Sequence, residues 1–298
     1  MKIEKLIPEC KDYVWGGARL KERYGKQTEI TPCAESWELS FHKDGLTRLS
    51  DGRILKDTVT RADIGRLGEK FSDFPMLIKF IDAKSDLSVQ VHPSDEYALK
   101  NEGSYGKTEM WYVVEADEGA GIYLGFKEDV TLEEVKSAIK EKKLTELLNF
   151  LPVSAGDCYF IPSGTLHAIG AGCLICEIQQ NSNLTYRVYD YGRRDKNGKE
   201  RELHIDKALA VMDLSKFEPT RFDNGVLGEC EYFSSSLYRV SGSLELSADG
   251  DSFNSVTAVV GSGEIEGIKF NTGDTFFVPA GYGRYMIQAN ATLIVTKI

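Results

Sequence analysis

The chain has 298 residues, 42% apolar and 28% charged, and a net charge of −10. That length holds one large or two ordinary domains of a folded protein. The acid excess argues against nucleic acid and anionic lipid as partners, and the apolar runs fall far short of the ~20 residues that span a bilayer. The N-terminal Met1-Lys2-Ile3-Glu4-Lys5 lacks the apolar block of a signal peptide, so a cytoplasmic protein is expected. An acidic protein still binds an anionic small molecule where a few Arg or Lys gather locally. Cys10, Cys33, Cys158, Cys173, Cys176 and Cys230 are scattered without a dense framework, which points to reduced thiols. Cys173-x-x-Cys176 has no second pair and reads as two small buried residues of a strand.

From the N-terminus, residues 1–60 mix short apolar runs with turns. Trp15-Gly16-Gly17 predicts a tight turn, because glycine tolerates positive φ. Residues 12–24 and 61–70 each have room for a helix. Residues 34–40 alternate and read as a strand, on which Glu35, Trp37 and Glu38 either line a pocket or sit on a half-exposed sheet. Strand-like runs follow at 76–81 and 87–92, then a short helix opening near Asp95, then a β-branched and aromatic strand at 109–114. Thr131 and Glu134 have capping-box spacing, and Val135, Ile139, Leu144, Leu147 and Leu148 recur at roughly helical intervals. Two short helices are therefore expected over 131–150. Strands resume at 157–161, 172–179 and 186–189. Residues 193–199 read as an exposed loop and 205–214 as a helix. Beyond Tyr232 the chain is short alternating strands separated by Gly, Ser and Asn. The class is mainly β, with helices as insertions.

One internal repeat is visible. Gly156, Asp157, Pro162 and Gly164 recur as Gly273, Asp274, Pro279 and Gly281, each displaced by 117 residues. Both copies read as turn, strand, Pro-x-Gly turn and return strand, so two β-barrel modules are expected, over 1–225 and 226–298. His167 of the first copy corresponds to Arg284 of the second. The second module then lacks a metal ligand and is expected to be structural.

Only four histidines are present: His42, His92, His167 and His204. On a strand, Gln90 and His92 share one face while Val89 and Val91 take the other. An amide oxygen beside an imidazole is half of a metal site. Glu109, entering a strand just after Lys107, and His167, just past the Pro162-Ser163-Gly164 turn, are the further candidates. Taken singly, His167 also reads as a buried histidine bonded to a carbonyl, and Glu109 as a surface carboxylate.

The run Gly156-Asp157-x4-Pro162-x-Gly164-x2-His167 resembles the second motif of the cupins, which are double-sheet jelly-roll barrels. With Gln90-Val91-His92, with Lys107-Thr108-Glu109 and with Glu177 through Arg187 to Asp190, it resembles the type I mannose-6-phosphate isomerases. The likeness is strong over residues 5–215 and looser beyond. It implies two jelly-roll modules and an aldose–ketose isomerase that interconverts mannose 6-phosphate and fructose 6-phosphate through an enediol. It implies Gln90, His92, Glu109 and His167 on one zinc ion, although the same donors suit other divalent metals. Arg187 corresponds to the family's active-site arginine, better suited to stabilising an enediolate or phosphate than to taking a proton. Lys107, Arg187 and Arg193 are the candidate cations for the substrate phosphate, with Ser88 donating a hydroxyl, and Arg194 reads as solvated. Glu177, Lys107 and a metal-bound water remain open as the base. A sugar-phosphate-binding cupin without turnover, acting as a sensor or regulatory protein, is the alternative, and a metal oxygenase is a third. Monomer and homodimer are both compatible with the sequence.

Overall fold

Three antiparallel sheets form the framework of the chain. The structure is a computed structural model that describes residues 1–194 and 198–298. The first sheet runs Cys158–Ile161, Glu109–Ala116, Cys173–Gln180, Met76–Asp82, Glu35–Leu39, Glu9–Lys11 in spatial order. A second sheet, Tyr186–Tyr189, Val89–Val91, His167–Ile169, Gly121–Phe126, Leu148–Pro152, completes the sandwich that holds the site. The third is built on Ser234–Ala248, Gly283–Lys297, Asn254–Ile265 and Thr275–Val278. Glu4–Ile7 and Arg48–Leu49 extend that third sheet, although they lie inside the 1–225 segment.

The first sheet is covered on both faces. Phe80, Met110 and Ile178 pack toward Phe253 and Phe277 of the third sheet, while Trp111, Val113 and Ile175 pack toward Ile122 and Ile169 of the second. Hence Met76–Asp82 and Cys173–Gln180 are buried throughout instead of alternating. The outer face of the second sheet, with Val89, Val91, Ala168 and Tyr186, is closed by Leu132–Lys140 and Ile205–Val211. The former is short and opens on the capping box of Thr131 and Glu134; such a cap is worth about 1 kcal/mol.

The mainly β reading holds, with local differences. In place of a helix over 12–24 there is one turn, Arg19–Glu22. Residues 61–70 carry Arg61–Ile64 and a 3₁₀ turn, interrupted at Gly65, whose φ is 99°. The second helix of 131–150 is a 3₁₀ turn, Leu144–Leu147, and Leu148 already begins a strand. A turn does form at Tyr13–Gly16, but Gly16 and Gly17 are not among the positive-φ glycines. Close approach is their reason: a Cβ on Gly16 would meet Ala34 at 2.3 Å, and one on Gly17 would meet the Asp82 carboxylate at 2.3 Å. Residues 34–40 are not half-exposed, since Glu35–Leu39 is buried throughout. The cysteines are free. Residues 195–197, in the middle of the predicted 193–199 loop, lie outside the described residues.

The repeat is matched in geometry as well as in letters. Gly156 and Gly273 have φ of 99° and 92°, and Gly164 and Gly281 have φ of 87° and 74°. Asp157 accepts the Ser154 N–H as Asp274 accepts that of Asn271, both at 2.7 Å. Cys158–Ile161 and Thr275–Val278 follow these turns. His167, however, is buried, whereas the Arg284 side chain is 79% exposed and faces Glu245.

Candidate metal centre

Two facing rows of side chains make the site. In the second sheet, Gln90 lies directly opposite His167 on one side and Arg187 on the other, so all three share a face. That face looks into the sandwich, because Val89 and Val91 point the other way into the outer core. In the first sheet, Glu177 lies opposite Trp111 and Lys79, with Trp37 beyond Lys79. Glu109 shares the Trp111 face by the two-residue period of the strand.

At one end the rows converge. His167 Nε2 lies 3.3 Å from Glu109 Oε1, His92 Nε2 lies 3.6 Å from Glu109 Oε2, and Gln90 Nε2 lies 3.4 Å from His167 Nε2. Donors on one tetrahedral cation with ~2.1 Å bonds sit roughly 3.4 Å apart. Each imidazole is set by a backbone carbonyl: Nδ1 of His92 donates to Leu184 at 2.8 Å, and Nδ1 of His167 to Thr165 at 2.9 Å. Both Nε2 lone pairs are thereby turned inward, as metal-ligating histidines require. Burial, with the Lys107 charge, lowers both imidazoles, His167 to about 4, so they are neutral. Burial raises the Glu109 carboxyl to about 8 despite Lys107 Nζ at 2.7 Å. His92 Nε2 and Glu109 Oε1 are buried without a hydrogen-bond partner among the described residues. Orphans of this kind cost about 1–3 kcal/mol each, and a cation among them satisfies both. His92, Glu109 and His167 form a metal-compatible group whose ligand atoms lie within 4.8 Å of one another.

Beside this centre lies a cavity of about 130 Å³, lined among others by Ser88, Gln90, Lys107, Glu177, Arg187 and Arg201. Lys79 Nζ sits 3.3 Å from Glu177 and 3.6 Å from Glu35, and Lys107 Nζ lies 3.8 Å from Glu177. Burial opposes the Glu177 charge, but the two ammonium groups outweigh it and hold the carboxyl at about 2. Its other oxygen accepts the Trp111 indole N–H at 3.0 Å. Burial and the neighbouring Arg201 guanidinium lower the pKa of Arg187, which has no carboxylate within ion-pair range among the described residues.

Arg193 is not in the cavity lining. Its guanidinium bonds Asp190 at 2.6 Å and the Asp86 carbonyl, and stacks over Tyr191. Arg194 is exposed and paired with Glu200. Arg201 occupies the cavity wall instead, with Nε and Nη2 held by Asp190. The sequence reading missed Arg201 and Lys79. A signal for Lys79 was available, since one lysine inside the apolar run 76–81 must be buried with a partner. No spacing pointed to Arg201. Glu38 faces away from the site and pairs with Lys26 at 2.6 Å.

Residues 3–120 match a model of the phosphomannose isomerase type I catalytic domain, and 225–298 match the mannose-6-phosphate isomerase cupin domain. The chain is 36% identical to mannose-6-phosphate isomerase ManA of Bacillus subtilis, covering 100% of both chains. It is 36% identical to mannose-6-phosphate isomerase of Streptococcus mutans over 95% of this chain and 94% of that one. A crystal structure of the Bacillus subtilis mannose 6-phosphate isomerase superposes with a TM-score of 0.91 at 33% identity, covering 100% of each chain. The Salmonella typhimurium enzyme in its apo form, at 16% identity with a TM-score of 0.79 and 99% coverage of both, shares the fold. With its full length matched at more than a third identity and its two jelly-roll modules in place, the chain belongs to the type I phosphomannose isomerase family.

Proposed function

We propose that this chain interconverts mannose 6-phosphate and fructose 6-phosphate through an enediol, in the cytoplasm, with one zinc ion held by Gln90, His92, Glu109 and His167. The convergence of those four side chains at the edge of a cation-lined cavity carries the reading. The Gln90 amide oxygen would be the fourth donor to the ion. When bound, the ion supplies a Lewis acid for the charge that develops on the substrate carbonyl oxygen. The 1–225 segment does the chemistry and 226–298 acts as a structural module.

The chain's own residues divide the remaining work. Arg187 and Arg201 hold the phosphate between them, two neighbouring cations of which Arg187 has no anionic partner of its own. A dianion there relieves their repulsion. Lys79 and Lys107 face the sugar, and Glu177, ionised at working pH, fixes both ammonium groups. Ser88 lines the same wall. The full-length likeness to curated isomerases favours turnover over binding alone.

A coupled assay for fructose 6-phosphate tests the reading. Arg187, opposite Gln90 at the edge of the centre, also faces the developing enediolate, so Arg187→Ala is expected to lower kcat/KM about 10²–10³-fold, with metal content unchanged. Arg201→Ala is expected to raise KM about tenfold at nearly constant kcat, as for a group that grips substrate and transition state alike. If Arg193→Ala raises KM instead, the phosphate assignment moves back to Arg193. Arg284→Ala, far from the cavity, is expected to leave the rate unchanged; a collapse would overturn the structural role of the second module.

A further inference from the structure

Strand register carries the repeat into a second cavity. Glu109 opens its strand opposite Ile161, and Asn254 opens its strand opposite Val278, which stands 117 positions after Ile161. Ile161 and Trp111 face the interior of the first module, as Val278 and Val256 face that of the second. Asn254 therefore holds the place of Glu109. By sequence spacing Arg284 is set against His167, but Arg284 points outward, and its neighbour Tyr285, 1% exposed, points inward. The Tyr285 hydroxyl accepts an Asn254 Nδ2 proton at 2.9 Å, where His167 Nε2 lies 3.3 Å from Glu109. A neutral amide and a phenol have replaced the carboxylate and the imidazole.

Asn254 lines a cavity of about 240 Å³, against about 130 Å³ beside the metal centre. We propose that this second cavity binds an uncharged monosaccharide, without a part in turnover. Asn254 is only 5% exposed, and its Nδ2 donates to the Ser247 carbonyl at 3.0 Å as well as to Tyr285. Both amide protons are thereby used, and Oδ1 is left at the cavity wall as an acceptor with no partner among the described residues. The Ser236 and Tyr238 hydroxyls on the same wall also make no hydrogen bond among the described residues. Leu246, Val295 and the Tyr238 ring supply apolar surface beside them. A sugar ring matches this mixture: its hydroxyls donate and accept at once, and its C–H faces pack on apolar groups. The charge of the wall selects against a phosphate. Lys79, Lys107, Arg187 and Arg201 line the first cavity, whereas Lys297 is the one cation among the described residues lining the second, beside Asp249 and Asp251. Arg66, at 2.9 Å, does no more than neutralise Asp251. A phosphate dianion finds no surplus of positive charge there.

Titration calorimetry on the full chain with free mannose, fructose and glucose in turn tests this. At least one is expected to bind, with a dissociation constant on the order of millimolar. The binding is expected to persist in buffer pre-equilibrated with excess mannose 6-phosphate. Ser236→Phe puts a ring into the cavity from a half-buried position and is expected to weaken binding about tenfold or more, with the isomerase rate unchanged. Asn254→Leu removes the open acceptor and is expected to do the same. Circular dichroism checks both folds, and Ser236→Phe decides the matter if Asn254→Leu does not fold. Absence of binding by all three sugars overturns the proposal. So does displacement by mannose 6-phosphate, or binding that folded Ser236→Phe leaves intact. Isomerase activity is read in parallel, so failure here is distinguishable from failure of the functional reading.

Discussion

His167→Ala is expected to remove metal and turnover together. The His167 imidazole is 1% exposed, and its Nε2 touches both Glu109 and Gln90. Its Nδ1 is tied to Thr165. Trp111, which meets it edge-on at 5.3 Å, cannot replace it, because an indole N–H offers no lone pair to a metal. A Lewis acid supplies several kcal/mol to the transition state, and each 1.36 kcal/mol is a factor of ten in rate. A loss of about 10³-fold or more in kcat follows. The check is metal per chain, by elemental analysis, beside the coupled rate. Chelator-treated wild type is expected to fall to the same level, and zinc to restore the wild type alone. Full activity in metal-free protein would remove the metal from the mechanism.

Lys79→Met is expected to cost more stability than most substitutions in this chain. The ammonium is buried between Glu35 and Glu177, and over the Trp37 ring at 5.0 Å. Burial disfavours its charge, yet the two carboxylates overcome that and raise its pKa. Methionine fills the same volume but leaves two carboxylates with one cation fewer among them. Breaking one side of a buried pair costs about 3–5 kcal/mol. The pH dependence has a definite sign. Glu177 drops from 4.5 to about 2 on folding, so its contribution is complete above 4.5 and lost as pH falls toward 2. Without Lys79 part of that depression goes, so the deficit is largest near neutrality and shrinks as the carboxyls protonate. Chemical denaturation of both proteins at pH 2.5 and pH 7 measures this; an equal deficit at both would contradict the charge account.

How far the site could be read in advance depended on the kind of element carrying each residue. Gln90 and His92 share a face because strand periodicity is a local rule, and the valines between them say which face is core. The Gly156 to His167 run declared its turn and return strand through glycines that adopt positive φ. Arg193 and Arg201 show the opposite case. Both bind Asp190, and which of them reaches the cavity is set by tertiary contacts for which no periodicity exists. Gly16 and Gly17 illustrate the same limit: their letters mark a turn, but the reason for glycine there is contact with Ala34 and Asp82, distant in sequence.

The sequence by itself determined the strands, the repeat, the family likeness and, through that likeness, four candidate donors, because each rests on neighbours a few residues apart or on motifs that survive as letters. The tertiary structure alone decided that Arg187, Gln90 and His167 form one row, that Lys79 stands among the carboxylates, and that Arg201 faces the cavity. Those facts are set by strand register and by packing between sheets. Such contacts join residues scores of positions apart, and no local pattern encodes them.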